Sequence, residues 1–235
     1  MADYRTLSGT QARVEVVNAF MRGVYGWMTA GLALTGGVAY LTAGSEAMRQ
    51  MIFGNQLVLI ALIIAQLGIV VGLSAAVNRL SAGTATGLFL AYSALTGLTL
   101  SAIFLAYPPT IILKAFLTAA GMFGAMSIYG LTTKRDLTSM GSFLTMGLFG
   151  LIIAMVVNIF LKSSMMDFVI SGVGVILFTG LTAYDTQRLS TMGSMAPGDA
   201  TVVRRGTILG ALTLYLDFIN LFLMLLRLFS GSSRD

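Results

Sequence analysis

The sequence predicts an all-α integral membrane protein with seven transmembrane helices. Hydrophobic residues make up 57% of its 235 residues and charged residues only 10%, and the mean hydropathy is +0.89. A soluble domain carries about 25% charged residues, so this chain has too few polar groups to cover a surface exposed to water. The composition therefore excludes a soluble enzyme and a nucleic-acid-binding domain.

The chain contains no histidine and no cysteine. Zinc sites, haem ligation, disulfides, thiol nucleophiles and histidine-based triads all require one of these residues. We therefore expect a protein that is not an enzyme and that holds no cofactor. The net charge of +5 does not indicate nucleic acid as a partner, because the basic residues lie between apolar runs, where they set membrane topology.

A helix needs about 20 mostly apolar residues to cross the hydrocarbon core of a bilayer, which is about 30 Å thick. Seven windows meet this requirement: residues 24–43, 56–77, 84–106, 110–131, 142–161, 167–185 and 207–229. The first window is too long for the apolar core of a cleavable signal, so we assign it as a span. We expect an N-terminal tail over 1–23, one transmembrane domain over 24–229, a short C-terminal tail over 230–235, and 186–206 as the one long connection.

The distribution of lysine and arginine predicts the orientation of the spans in the membrane. Nine of the fourteen basic residues fall on the side of the N-terminus: Arg5, Arg13, Arg22, Arg79, Lys134, Arg135, Arg188, Arg204 and Arg205. Cytoplasmic loops carry the excess of basic residues, so the N-terminus is expected in the cytoplasm. With seven spans the C-terminus then lies outside.

Charged residues inside a span are costly and usually face a partner or a cavity. Lys114 and Arg227 lie near span ends, where a long side chain can reach the interface. Asp217 lies ten residues into the last span, roughly 15 Å from its start, and a carboxyl group is too short to reach the surface from there. On a helix it shares a stripe of small and polar residues: Gly206, Gly210, Thr213, Asn220 and Met224. Asp217 is therefore either a protonated hydrogen-bonding group between helices or a functional residue.

Asp185 ends the sixth span on the side where the last span begins, so it can face Asp217 if these two helices pack together. Two carboxylates in a poorly solvated site cannot both ionise cheaply, so we expect the pair to share a proton. Deprotonated, the pair offers oxygen ligands to a hard cation such as calcium; protonated, it holds the two helices together and closes a path. The residues thus predict a proton-linked cation site, with Asp185 and Asp217 as transient calcium contacts.

Four further polar residues are expected near this pair of aspartates. Arg79 closes the second span on the same side of the membrane and is either a counter-ion for the carboxylates or an ordinary cytoplasmic anchor. Asn220, Thr213 and Thr182 are expected as neighbouring polar partners.

Glycines at i and i+4, such as Gly68 and Gly72, are typical of closely packed membrane helices.

Two other classes of membrane protein fit the residues poorly. An intramembrane aspartyl protease would match Tyr184 and Asp185, but its second signature, Gly-x-Gly-Asp, is replaced by Tyr-Leu-Asp before and at Asp217. A retinal protein needs a lysine in the last span, and the only lysines are Lys114, Lys134 and Lys162.

Five sequence runs resemble the Bax inhibitor-1 family, and within it the bacterial YccA-type branch. They are YSALTGL at 92–98, GMFGAMS at 121–127, TTKRDL at 132–137, GLTAYDTQ at 180–187 and ALTLYLDFINLF at 211–222. The resemblance extends from about residue 20 to the C-terminus. It implies a seven-helix fold in which the other six helices surround the last one, in a multi-pass protein of the bacterial inner membrane.

The same resemblance implies a function. The family is associated with a pH-sensitive calcium leak across membranes, in which calcium is the permeant ion and a pair of aspartates, matching Asp185 and Asp217, senses protons. An arginine at the end of the second helix latches the closed state in some members, and Arg79 matches it by position. Some relatives also carry an acidic residue within the second span, where this chain has Gln66 and Asn78.

The resemblance also supports a second function that is not conduction. Relatives of the YccA type are partners or regulators of a membrane-bound ATP-dependent protease in stress protection. In that case the tail at 1–23 is presented to the protease and the buried aspartates are structural. Both functions remain open on the sequence alone.

Overall fold

The computed structural model describes residues 3–76, 79–195 and 199–231, with side chains from residue 14 onward. Over these residues the regular secondary structure consists of helices only. They are α1 (Asp3–Gly44), α2 (Glu46–Phe53), α3 (Gln56–Ala76), α4 (Ala82–Ala106), α5 (Pro109–Thr132), α6 (Thr138–Leu161), α7 (Ser164–Ser194) and α8 (Ala200–Gly231). The predicted all-α class is thereby confirmed.

Six helices, α3 to α8, are long and apolar enough to cross a membrane. They contain the cores of the last six predicted windows. The first predicted span, 24–43, lies in the second half of α1, whose apolar residues are diluted by glycine, threonine and tyrosine. Its assignment as a seventh span stays a prediction. α1 begins at Asp3, so the predicted tail is helical over its described residues.

The long connection predicted over 186–206 is wrong. α7 continues to Ser194 and α8 begins at Ala200, which leaves only the segment 195–199, and residues 196–198 of it lie outside the described residues. The hydropathy of a window falls where polar residues begin, but a helix satisfies its own backbone hydrogen bonds and can continue beyond the apolar stretch. Asp185 consequently lies within α7, more than two turns before the helix ends.

Local side-chain contacts define where several helices begin and end. Ser45 caps α2 by accepting a hydrogen bond from the Met48 N–H at 3.4 Å, which explains a short helix that hydropathy did not predict. At the start of α6, Asp136 Oδ1 accepts bonds from the Thr138 hydroxyl at 2.6 Å and the Thr138 N–H at 2.9 Å. These two bonds lower the pKa of Asp136. At its other end Lys162 adopts the left-handed conformation with φ 51°.

The last helix is the most buried of the six apolar helices. In its most apolar stretch 67% of the residues are buried, against 6% in α3 and 11% in α6. α3 instead exposes large apolar side chains along its length, including Ile64 and Val71. This burial is what a helix with neighbours on most sides shows, whereas α3 has the apolar surface expected of a helix that faces lipid.

The chain divides into two compact units, and the first comprises Met1–Ala106 and Ser190–Tyr215. Within it α1 and α4 approach closely at glycines, since a Cβ added to Gly97 would lie 2.7 Å from the Thr35 carbonyl oxygen. Thr35 Oγ1 donates to the Ser93 carbonyl at 2.8 Å and therefore accepts from the Tyr215 hydroxyl at 2.7 Å. The Tyr215 ring packs edge-on against Phe89, with ring centroids 5.8 Å apart.

The second unit comprises Tyr107–Leu189 and Leu216–Asp235 and holds both aspartates. The two long cations of the predicted span ends also lie in it, and each has a partner. Lys114 Nζ lies 4.4 Å from the centroid of the Phe229 ring, and Arg227 Nη1 lies 3.9 Å from Asp167 Oδ1. Each cation thus contacts a group within this unit, and the predicted reach of the two side chains to the membrane interface stays a prediction.

Candidate functional site

Close packing on both sides holds the turn of α7 that carries Asp185. On one side Gly130 of α5 lies against the Ala183 carbonyl oxygen and the Thr186 side chain, and on the other Gly141 of α6 lies against the Tyr184 ring. A Cβ at either glycine would overlap these atoms. Because Gly130 and Gly141 carry no side chain, α5 and α6 can pack closely against α7 at the level of Asp185.

Aromatic contacts with α5 position Asp217 on α8. The neighbouring residue, Phe218, packs edge-on against Phe116 and Phe123 of α5, with ring centroids 5.7 and 5.6 Å apart. On the same helix Leu214 and Leu221, one turn to either side of Asp217, are fully buried. Asp217 therefore lies in an apolar surrounding.

The structure brings the two predicted aspartates together. Asp185 and Asp217 lie close enough to interact electrostatically, and these residues are only 8% and 6% exposed. Asp217 Oδ2 is buried and has no hydrogen-bond partner. A buried carboxyl pair at this range holds together when it shares a proton and separates when both groups carry charge. The role of Asp185 and Asp217 as a proton sensor stays a prediction.

Arg188 is the cation beside this pair, and the sequence reasoning missed it. Its Nη1 atom lies 3.8 Å from Asp185 Oδ1, and its side chain is 68% exposed. Residues three apart lie on one face of a helix, so the spacing of Asp185 and Arg188 would have predicted the contact. Because the predicted span ended at residue 185, the arginine was assigned to a loop. Of the two carboxylate charges, Arg188 can balance one.

Gln187 fastens the α5–α6 loop to the same part of α7. Its Nε2 atom donates to the Arg135 carbonyl at 2.8 Å, and its Oε1 atom accepts from the Leu137 N–H at 2.9 Å. One side-chain amide therefore satisfies a backbone acceptor and a backbone donor of the loop. This contact, too, depends on the continuation of α7 beyond residue 185.

The predicted polar partners bond mainly to their own helices. The Thr182 hydroxyl donates to the Phe178 carbonyl at 2.8 Å and the Thr213 hydroxyl to the Leu209 carbonyl at 3.1 Å. The Asn220 amide donates to the Leu216 carbonyl at 2.9 Å. Each of the three side chains thus donates to a carbonyl group one turn earlier in its own helix. Their role beside the aspartates stays a prediction.

Arg79 is placed in the turn after α3, with an exposed side chain. It belongs to the first unit and the aspartates to the second. The ion pair described for Asp185 is the one with Arg188. The role of Arg79 as a latch for the closed state stays a prediction.

The two carboxyl groups supply too few ligands to retain a metal ion. In the described part of the chain, no group of three or more acidic, cysteine or histidine residues is placed to hold a metal ion. Calcium sites that retain their ion supply six to eight oxygen ligands, and two carboxyl groups supply at most four. Two carboxyl groups alone do not form such a site, and a transient contact of Asp185 and Asp217 with calcium stays a prediction.

Comparison with known proteins shows which family and which proteins this chain resembles. The family described as inhibitor of apoptosis-promoting Bax1 matches residues 17–235. The chain belongs to the Bax inhibitor-1 family. The inner membrane protein YbhL of Escherichia coli, strain K12, is 55% identical over 216 residues, which is 92% of each chain. A protein of Borreliella burgdorferi is 48% identical over 228 residues, 96% of this chain and 98% of its own length. The resemblance found in the five sequence runs is confirmed, and this Bax inhibitor-1 member matches these two relatives over nearly their whole length.

Proposed function

We propose that this protein is a cation leak channel of the bacterial inner membrane, with calcium as its leading ion, and that protonation of Asp185 and Asp217 closes it. The observation that carries the proposal is the pairing of two buried carboxyl groups on two different helices. The inner-membrane location follows the printed name of the YbhL relative and the six apolar helices. The chain needs no cofactor for this activity and has no catalytic step.

The proposed gate uses charge repulsion between α7 and α8. With one shared proton the carboxyl groups attract each other and keep the helices in contact. When both groups are ionised they repel, and their oxygens become ligands for a hard cation. Arg188 of α7 faces Asp185 and balances one charge, so the ionised site keeps about one negative charge, which the passing cation offsets. Flux should therefore fall as the pH is lowered.

The membrane arrangement is part of the proposal. Seven spans include residues 24–43 of α1, the N-terminus lies in the cytoplasm, and the C-terminus lies outside. The high burial of α8 supports a central position for the last helix. Asp185 then lies at the cytoplasmic end of its predicted span, where a change of cytoplasmic pH reaches it first, and Asp217 lies deeper in the membrane.

Calcium efflux from liposomes that contain the purified protein tests the proposal. The wild type should release calcium at pH 8 and much less at pH 6, and Asp217→Asn should lose this pH dependence because it removes one titrating group. Asp199→Asn is the matched control, because Asp199 is exposed. Its side chain accepts a hydrogen bond from the Thr201 N–H at 2.7 Å, and an asparagine side chain can accept the same bond. Background leak at every pH from folded protein would contradict the proposal.

That contradictory result would favour the second candidate, a partner of a membrane-bound ATP-dependent protease. The helical segment that α1 adds ahead of residue 24 is the surface such a partner would contact. The aspartate pair would then have a structural role. Regulation of the protease that survives Asp217→Asn, while removal of residues 3–23 abolishes it, would establish this function instead.

A further inference from the structure

Met224 of α8 fills a notch in the surface of α7, at Gly174, within the second unit. A Cβ added to Gly174 would lie 2.7 Å from both Cγ and Sδ of Met224, so the methionine side chain lies directly against α7. Leu151 of α6 borders the same notch, with its Cδ2 atom 3.5 Å from that Cβ position. Met224 and Leu151 are each only 4% exposed. Three helices therefore meet around one thioether group.

Met224 lies on the face of α8 that also carries Asp217. The two residues are seven apart, which is about two helical turns and about 10 Å along the helix. One turn farther along α8, Arg227 Nη1 lies 3.9 Å from Asp167 Oδ1 of α7. Contacts between α7 and α8 therefore occur at three levels, and the residue numbers fall along α7 while they rise along α8. This order is the one expected for two antiparallel helices in contact.

An opening between α7 and α8 that begins at the aspartates meets Met224 before it reaches the Arg227 ion pair. In the proposed function, repulsion between ionised carboxylates separates the helices at Asp185 and Asp217. The contact at Gly174 is apolar and holds no charge on which that repulsion acts. A narrow apolar constriction closes a path by excluding water. The first level thus responds to protons, and the second does not.

We propose that Met224, packed against Gly174, is an apolar gate in series with the aspartate pair. This inference rests on the proposed function and names a second residue that limits the flux. Methionine is unbranched and has three rotatable side-chain bonds, so its thioether can leave the notch without a change in the backbone. Met224 then sets the rate of flux, while the two carboxyl groups set its dependence on pH.

Calcium efflux from liposomes that contain the Met224→Ala protein tests the proposal. Alanine leaves the notch unfilled, so the rate at pH 8 should rise about tenfold, which corresponds to a barrier lower by about 1.4 kcal/mol. The pH midpoint should match that of the wild type, because Asp185, Asp217 and Arg188 are all retained. Met224→Leu should keep the wild-type rate, since leucine replaces methionine at nearly the same volume.

Met28→Ala is the matched control for the loss of a buried methionine. Met28 is 5% exposed but belongs to the first unit, and its replacement removes the same atoms. Both alanine variants create a cavity, so a higher rate for Met224→Ala alone is not explained by a general loss of stability. The melting temperature of each variant in detergent shows whether it is folded.

A second measurement keeps the proposal testable if Met224→Ala does not fold. The chain has no native cysteine, so Met224→Cys introduces a single thiol that a small, charged methanethiosulfonate reagent can modify. Modification should be faster at pH 8 than at pH 6, by a larger factor than for Met28→Cys, which corrects for the greater thiolate fraction at high pH. Equal factors for the two thiols would overturn the proposal, because the opening at the aspartates would then not lead to Met224.

The outcomes separate this inference from the proposed function. If the wild type releases calcium with the expected pH dependence while Met224→Ala releases it no faster, Met224 is not a gate and the proposed function stands. A Met224→Ala protein that leaks at the same rate at pH 6 and pH 8 would also overturn the inference, because the aspartate pair would then not close the path in series. If the wild type passes no calcium at any pH, the proposed function is wrong and this inference falls with it.

Discussion

Replacing Arg188 by glutamine removes the cation that pairs with Asp185 and should move the pH at which the proposed channel closes. Two unit charges 3.8 Å apart interact by about 1 kcal/mol in a water-like dielectric and by about 4 kcal/mol at an effective dielectric constant of 20. Because the arginine side chain is 68% exposed, solvent screening favours the lower figure. About 1 kcal/mol corresponds to roughly 0.8 pH unit.

The direction follows from the charge that is lost. Arg188 stabilises the ionised carboxylates, which form the conducting state in the proposed mechanism. Without it, protons close the channel at a higher pH, so the midpoint of calcium efflux in liposomes should rise by roughly 0.8 unit. In 1 M salt, where the screening length is about 3 Å, the difference between variant and wild type should shrink.

Arg204→Gln is the control for this experiment. Arg204 is an exposed residue at the start of α8, in the first unit, and its replacement changes the net charge of the protein by the same amount. Its midpoint should match that of the wild type. An Arg188→Gln midpoint that equals the control would refute the role assigned to the ion pair with Asp185.

Three further predictions concern stability. Tyr215→Phe removes the bond to Thr35 but leaves the ring contacts, so the free energy of unfolding in a detergent titration should fall by about 1 kcal/mol; an unchanged value would contradict the bond. Gly141→Ala should cost about 1 to 3 kcal/mol through overlap with the tyrosine ring on α7, whereas Gly150→Ala on the same helix meets nothing within 4 Å and should not destabilise. Asp136 should titrate in carboxyl NMR below the usual aspartate value of about 3.9, so the stability it contributes is complete above that pH and is lost as the pH falls through its lowered pKa. Asp136→Ala should therefore unfold more readily at pH 5, and the difference from wild type should vanish in stronger acid.

Hydropathy was sufficient to predict the six long apolar helices α3 to α8, because a run of about 20 apolar residues has few other uses. It failed where polar residues continue a helix. The residues after Asp185 are polar enough to end a window, yet α7 extends over them to Ser194. That extension is what creates the contacts of Gln187 and Arg188, and so the sequence reasoning could not find them.

Glycine spacing was a poor guide to helix packing. Gly68 and Gly72 have the predicted spacing, but a Cβ at either position would meet no atom within 4 Å. The close approaches occur instead at isolated glycines, such as Gly97 and Gly130. Spacing records which residues share a face of one helix, whereas contact also depends on which helix lies opposite, and a single sequence does not specify that partner.

The aspartate pair was predictable for a different reason. An acid deep in an apolar span has to be satisfied by a second group, and few polar residues were present to provide it.

The two hydrogen bonds of the Gln187 side chain attach the α5–α6 loop to α7. Movement of the helix at Asp185 carries the loop with it, because two hydrogen bonds join them two residues away. The chain has no native cysteine, so one cysteine introduced in place of Lys134 would accept a single fluorescent label without further changes to the sequence. A dye on this exposed loop would then report any motion of α7 at the proposed gate, while Gln187→Ala would uncouple the dye from the helix.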